Sequence, residues 1–392
     1  MSLEPLFEEI RLLKQKVEKI FIYGFGSYGR NLYQILRKNE IEVNGFVISG
    51  DPIDATYEIP VYNVSTVLNK NVGYILALNA KNRQEVELYL KSNHIDMTKI
   101  VNAGKYIEQF GEKRGTHVGS IEVTTAIGCK VNCRHCPQDL LTRKYFEENK
   151  KRIDKMTLET FRRCLEFFPA EYDVSFGGMS EPFLNDHFID MLKMACKEKR
   201  RVSLYTTLVG VKQDELEEVL NLPLEFVVLH VADKFHYAHI PLTEEYYFNV
   251  DKIINAKKVN GKPFVNMCNA QAEPDEKVKQ ICEGKYEIFT EMTDRAGNLK
   301  DKRLINNRIK TGKLSCGNLG KDMNNNILLP DGCVILCCMD YGLKHILGNI
   351  YKDSFEEIMY GAEMSRVKNG MDGDEKIDIL CRSCSYARSL QN

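Results

Sequence analysis

Cys129, Cys133 and Cys136 lie in "TTAIGCKVNCRHCPQD", residues 124–139, spaced C-x3-C-x2-C. Thiolates this close bind metal, but three is an unusual number. A structural zinc closes with four ligands, usually as matched pairs. An ordinary iron–sulfur cube takes one cysteine per iron. A cube held by three cysteines leaves one iron open to a small molecule, and so becomes a candidate reaction centre. A second set follows near the C-terminus. Cys316 is followed by fifteen residues, Gly332, four residues and Cys337, and "CRSC" then supplies Cys381 and Cys384. Four cysteines make a closed site, and from spacing alone a structural zinc and a fully ligated iron–sulfur cluster compete for it.

The other cysteines and the histidines read more plainly. Thirteen cysteines are present, none before Cys129. Cys164, Cys196, Cys268 and Cys282 stand alone and read as small buried hydrophobes. His230, His236 and His239 in "LHVADKFHYAHIPL" mix strand and loop spacing, which suits surface or substrate-lining residues better than a metal site.

The elements that must position these residues follow from periodicity. From residue 118, "SIEVTTA", "EYDVSFGGMSEP", "RVSLYTTLVG", "LEFVVLHVAD", "PFVNMCNA" and "YEIFTEM" read as six strands, with helical stretches such as "TLETFRRCLEFFP" between them. Strands joined by crossover helices predict a parallel sheet, open or curled into a partial (β/α)6 TIM-type barrel. Chemistry in such folds gathers at the carboxyl ends of the strands. The cysteine triplet follows the first strand and "GGMSEP" the second. Asp331-Gly332 predicts a hairpin turn between "NNILL" and "CVILC".

Upstream, "VEKIFIYGFGSYG" places Gly24, Gly26 and Gly29 as G-x-G-x-x-G between a strand and a helix. That context fits a Rossmann-like turn whose helix N-terminus can meet a phosphate. The segment leaves little room for two mononucleotide halves, and Asp51 lies past the second strand, so NAD is a weak expectation. A tight turn without any nucleotide and a turn that holds a sugar-nucleotide phosphate are the competing readings. The 392 residues suggest a Rossmann-like domain over 1–110, a core over 111–312 and a cysteine-rich domain over 313–392.

Composition bounds the rest. Apolar residues make up 43% and charged residues 28%, a globular balance. A net charge of −1 gives no global attraction to nucleic acid or anionic membrane. The N-terminal "MSLEPLFEEIRLLKQKVEKI" reads as an amphipathic helix and not a secretory signal, and no run is long enough to span a membrane. A cytoplasmic location, where disulfides are rare, is therefore expected, and it leaves metal or catalysis as the use for so many thiols.

The triplet after the first strand and the Gly-Gly-acid turn after the second resemble the radical S-adenosylmethionine (SAM) enzymes, over residues 118 to about 310 and on into the C-terminal part. The resemblance implies a [4Fe–4S] cluster on Cys129, Cys133 and Cys136, with SAM on its open iron. Reductive cleavage of SAM then gives a 5′-deoxyadenosyl radical that takes hydrogen from a substrate. It places His135 beside the adenine, and Gly177, Gly178 and Glu181 near the methionine amine. "GGMSEP" has one residue more than the family's Gly-Gly-x-Glu-Pro turn. Thr206 and Thr207 are implied for the ribose hydroxyls or the SAM carboxylate, and Arg295 of "TDRAGNL" for a carboxylate.

The C-terminal part resembles the cysteine-rich SPASM extension in its short "twitch" form. This implies one auxiliary [4Fe–4S] cluster on Cys316, Cys337, Cys381 and Cys384. The Gly-x4-Cys spacing selects Cys337 over Cys338, since strand alternation would turn the two to opposite faces. Cys333 and Cys338 are then spare. Residues 17–50 resemble Rossmann-like modules of bacterial surface-sugar pathways. Together these imply an oxidoreductase acting on a sugar or sugar nucleotide, with flavodoxin or ferredoxin as electron donor. Modification of a ribosomal peptide is the alternative enzyme reading, and a metal-stapled binding protein the non-catalytic one.

Overall fold

The structure is a computed structural model that describes residues 4–25, 27–49, 59–68, 71–78, 80–107, 119–148, 153–258, 260–290, 293–299, 309–320 and 323–390. It divides into two compact units, Met1–Gly115 and Thr116–Asn392. Among the described residues no helix is long and apolar enough to cross a membrane.

The first unit is built on five short strands: β1 (Lys19–Tyr23), β2 (Gly45–Ile48), β3 (Val61–Asn63), β4 (Val72–Leu76) and β5 (Ile100–Asn102). They pair in parallel in the order β3-β2-β1-β4-β5. Both faces are dry because both parities of β1 are apolar. Ile20 and Ile22 pack with Phe46, Ile75 and Val101, while Phe21 and Tyr23 pack with Val47, Tyr74 and Leu76 on the other side. Strands thus flank β1 on both sides, which the short sequence left little room for; β3 and β5 achieve it with three residues each. The order is that of a dinucleotide fold with one strand fewer. A side chain on Gly29 would fall on the carbonyl oxygen of Gly24, so only glycine lets the helix Ser27–Lys38 start so close to the end of β1. Gly26, Asp51 and most of the link "FGEKRGTHVG" lie outside the described residues.

The second unit opens with six parallel strands: β6 (Ser120–Val123), β7 (Asp173–Phe176), β8 (Val202–Thr206), β9 (Phe226–Val231), β10 (Met267–Ala270) and β11 (Ile288–Phe289). β12 (Leu314–Cys316) pairs with the last strand, β16 (Ala387–Ser389). Between them β13 (Asn325–Leu328), β14 (Cys333–Ile335) and β15 (Ile346–Asn349) form an antiparallel meander. β13 also pairs in parallel with β6, setting Ile327 opposite Glu122. One nine-stranded sheet results, in the order β11-β10-β9-β8-β7-β6-β13-β14-β15. The fold is mixed α/β with parallel sheets, and among the described residues the large sheet does not close into a barrel.

Side-chain alternation assigns the two faces of this sheet. Val174, Phe176, Val202, Leu204, Val227, Leu229 and Cys268 are fully buried under the helices. Glu122, Ser175, Tyr205, His230 and Asn269, of the opposite parity, keep some accessible surface. Glu122 stands opposite Ser175, and His230 opposite Asn269. The covering helices begin on side-chain caps from Thr157, Thr243 and Asp275. Arg200 closes the far end of the helix Leu158–Phe167, donating to the carbonyls of Leu165 (2.6 Å), Phe168 (3.0 Å) and Pro169.

Candidate functional site: two cysteine sets on one sheet

The cysteine triplet occupies the loop after β6, and a second loop holds it in place. Arg134 N–H donates to the Tyr237 carbonyl (2.6 Å), and His239 N–H donates to the Val131 carbonyl (2.9 Å). That second loop, following β9, is organised by Asp233, which has no exposed surface. Its carboxylate accepts the amides of Phe235, Tyr237 and Ala238, each at 3.0 Å. His236 and His239 are exposed on this loop, whereas His230 lies on the sheet face of opposite parity to the residues buried under the helices.

Around the triplet, donors point at sulfur. Glu181 N–H reaches Cys129 Sγ (3.4 Å), and the Tyr341 hydroxyl reaches Cys136 Sγ (3.6 Å). The Cys133 thiol, then Arg295 and Tyr341, pull Cys136 below the usual thiol range, while Cys133 itself is pushed up. Burial pushes Cys129 up to about 11. Three thiols in one loop, one held toward the thiolate, suit a sulfur-ligated cluster with an open corner.

Glu181 lies within hydrogen-bond reach of Thr206 and Thr207. Thr206 Oγ1 donates to Glu181 Oε1 (2.7 Å), and the hydroxyl and amide of Thr207 donate to Oε2 at 2.6 and 2.5 Å. Burial raises the carboxyl's pKa and these donors work against that rise. Glu181 thus ties the turn after β7 to the end of β8. At Gly178 the backbone is left-handed (φ 54°), and a Cβ there would stand 2.5 Å from Thr124 Oγ1. Gly178 N–H donates to Glu122 (2.8 Å). Gln138, buried beside this turn, donates to the Met179 carbonyl (2.6 Å) and leaves its Oε1 without a partner. A buried orphan acceptor beside the glycine turn fits an ammonium group such as the methionine amine of SAM. His135 is buried, with Nδ1 3.0 Å from Gln271 Oε1 and its ring edge-on to Tyr237.

The sheet face away from the helices carries polar side chains, among them Glu122, His230 and Asn269. Burial raises the Glu122 pKa, opposed by the Gly178 amide and Arg295. Burial, then Arg295, pulls His230 down to about 4, so its imidazole is neutral. Asn269 Oδ1 has no hydrogen-bond partner among the described residues. Arg295, at a left-handed turn (φ 49°), donates to the His135 carbonyl (3.3 Å) and stands 5.7 Å from the centroid of the Tyr341 ring. Burial opposes its charge, but Tyr341, Cys136, Cys338 and Tyr386 outweigh that and raise it above the usual range.

The second cysteine set assembles around the pairing of β12 with β16. Cys316 ends β12, and it pairs with Ala387, three residues past Cys384. The alternation argument for Cys337 and Cys338 does not apply, because β14 stops at Ile335 after a bulge and both cysteines lie in the turn beyond it. They diverge nonetheless. Cys337 interacts with Cys338, Cys381 and Asp340, whereas Cys338 interacts with Glu122, Arg295 and Cys384. Cys381 in turn interacts with Cys316 and Cys384. A buried network fixes this region. Asp340 accepts the amides of Lys344 and His345 (2.8 and 2.7 Å), and His345 Nε2 accepts Leu380 N–H (2.9 Å) at the start of "CRSC". Arg382 donates to four carbonyls, those of Lys310, Gly312, Gly370 and Asp374. Among the described residues no three His, Cys, Asp or Glu side chains are set to hold a single metal ion.

Residues 316–385 match the family model of the SPASM domain, an iron–sulfur cluster-binding domain. All four cysteines of the second set, Cys316, Cys337, Cys381 and Cys384, fall within that match. Solved structures with a similar chain path include BtrN in complex with AdoMet and 2-DOIA, at 15% identity and TM-score 0.46, covering 69% of this chain and 94% of that one. Streptococcus suis SuiB bound to precursor peptide SuiA has 11% identity and TM-score 0.44, over 79% and 84%. The anSMEcpe structure with bound AdoMet has 12% identity and TM-score 0.36, over 68% and 83%. No curated protein matches the sequence.

Several residues of the site escaped the sequence reading. Glu122 left a trace, a carboxylate inside an otherwise apolar β-branched strand. Asn269 left a weaker one, a lone amide in "MCNA". Gln138 and Tyr341 left none, since each acts through a partner far away in sequence, and Asp233 binds the amides of its own loop like an ordinary turn aspartate.

Proposed function

We propose that Cys129, Cys133 and Cys136 hold the SAM-binding [4Fe–4S] cluster. In this reading Cys316, Cys337, Cys381 and Cys384 hold one auxiliary cluster, and the enzyme oxidises a hydroxyl-bearing carbon of a sugar or sugar nucleotide. When bound, the open cluster and SAM supply one-electron cleavage of SAM and removal of one hydrogen atom from carbon. The chain's own residues do the rest. Oxidation of an alcohol to a ketone also releases a proton and an electron. A loaded auxiliary cluster would supply an acceptor for the electron, and the proton needs a base on the sheet face away from the helices.

That face carries the proposal: Glu122, His230 and the unpartnered Asn269 amide are groups that bind hydroxyls, not apolar side chains. Between the two candidate bases the pKa directions favour Glu122. His230, at about 4, is a poor proton acceptor near neutrality. Glu122 is shifted upward, toward the range where a general base works best. Glu122 takes the hydroxyl proton, and His230 and Asn269 orient the ring hydroxyls. Arg295 offsets the charge on Glu122.

The test is anaerobic incubation of the cluster-loaded protein with SAM, a reductant and sugars, sugar nucleotides or peptides. Substrate-dependent 5′-deoxyadenosine and a product lighter by two hydrogens are expected with a sugar. Glu122→Gln should lower that product about a hundredfold or more, the usual scale of a lost general base, with substrate-free SAM cleavage retained. A peptide that stimulates cleavage when no sugar does would overturn the substrate class.

A further inference from the structure

Tyr341 belongs to the C-terminal segment, four residues after Cys337, yet its hydroxyl lies 3.6 Å from Cys136 Sγ in the loop after β6. The side chain is 1% exposed and packs among Ile127, Leu141, Tyr145 and Ile335. A phenol in such a dry site needs an acceptor, and the sulfur is the one in reach. The ring is held from both sides. Asp340, its neighbour in sequence, is pinned by the amides of Lys344 and His345. Arg295 stands against the ring while its Nε holds the His135 carbonyl, next to Cys136. Hydrogen bonds to ligand sulfurs are one of the levers that set the potential of an iron–sulfur cluster.

We propose that Tyr341 is a positioning residue that sets the reduction potential of the cluster on Cys129, Cys133 and Cys136, by donating its hydroxyl hydrogen to Cys136 Sγ. This rests on the assignment of a cluster to that loop. The reduced cluster carries more negative charge on sulfur than the oxidised one, so a donor stabilises the reduced form more. Tyr341 thereby eases entry of the electron that SAM cleavage requires. Because the turn that carries Cys337 also carries this hydroxyl, the C-terminal segment bears directly on the electron supply of the first cluster.

The experiment is a redox titration of the reconstituted full-length protein, followed by electron paramagnetic resonance of the cluster whose signal responds to SAM. Tyr341→Phe keeps the ring and removes the donor. The ratio of reduced to oxidised cluster at a fixed potential should fall three- to tenfold, and tenfold corresponds to about 59 mV for one electron. An exchangeable proton coupled to that signal should also vanish. Fluorotyrosine in place of Tyr341, a stronger donor, should move the midpoint upward, and it decides the matter if Tyr341→Phe loses iron. Unchanged midpoints in variants with full iron would overturn the proposal. If Cys136→Ala leaves the SAM-responsive signal intact, the cluster assignment fails instead.

Discussion

At the scale of single residues, the choice between Cys337 and Cys338 turns on their neighbours and not on strand parity. Cys337 interacts with Cys381 and Asp340, whereas Cys338, although it also interacts with Cys384, interacts more strongly with Glu122 and Arg295 at the sheet face away from the helices. Cys337→Ala should therefore cost one cluster's worth of iron and loosen residues 313–392, because a closed cluster also staples the segment that holds it. Cys338→Ala should keep both clusters. Iron analysis of the two variants decides, and the reverse pattern would exchange the assignments. The cysteines were legible in the sequence because ligand spacing is local: C-x3-C-x2-C and "CRSC" each fit within one loop. Tyr341 was not legible, since its partner Cys136 is 205 positions away and a buried tyrosine looks like any other core residue.

Elements show the same division. The six parallel strands and the Asp331-Gly332 hairpin were readable from periodicity and turn chemistry, which are properties of neighbouring residues. The pairing of β13 with β6 was not, because it joins Asn325 to Ser120 through backbone bonds that leave no sequence mark. That join sets the C-terminal meander beside the first cysteine loop and accounts for the meeting of Tyr341 with Cys136. The loop after β9 is a second such case. Asp233 gathers three amides of its own loop, and that loop then bonds Arg134 and Val131 of the cysteine loop. Hydrogen bonds to a charged group are worth roughly 1.5–3 kcal/mol each, and they are not additive. Asp233→Ala should therefore cost the loop roughly 3 kcal/mol of local stability. Hydrogen exchange should speed up at Phe235, Tyr237, Ala238 and Arg134 while the strands stay protected. Unchanged exchange at Arg134 would show that the cysteine loop holds its shape without this support.

At the scale of the whole molecule, the first unit needs a task. The radical chemistry proposed above would already supply an oxidant, so a hydride carrier such as NAD has nothing evident to do here. The strand order β3-β2-β1-β4-β5 reverses direction between β1 and β4, and ligands of such sheets bind outside the carboxyl ends at that point. Gly24 lies just past β1 there, and Gly29 brings the start of a helix against it. Backbone N–H groups at that start can meet a phosphate of a sugar nucleotide as well as one of NAD. We therefore expect calorimetric titration of the full-length protein to show heat with a sugar nucleotide and none with NAD. Gly26→Val should hinder close approach of a ligand to the turn. It should raise the KM for a sugar nucleotide about tenfold, the loss of roughly 1.4 kcal/mol of binding, and leave substrate-free SAM cleavage unchanged. Tight NAD binding with no response to any sugar nucleotide would defeat this assignment. Silence toward both would leave the glycines the purely structural task of packing a helix against β1.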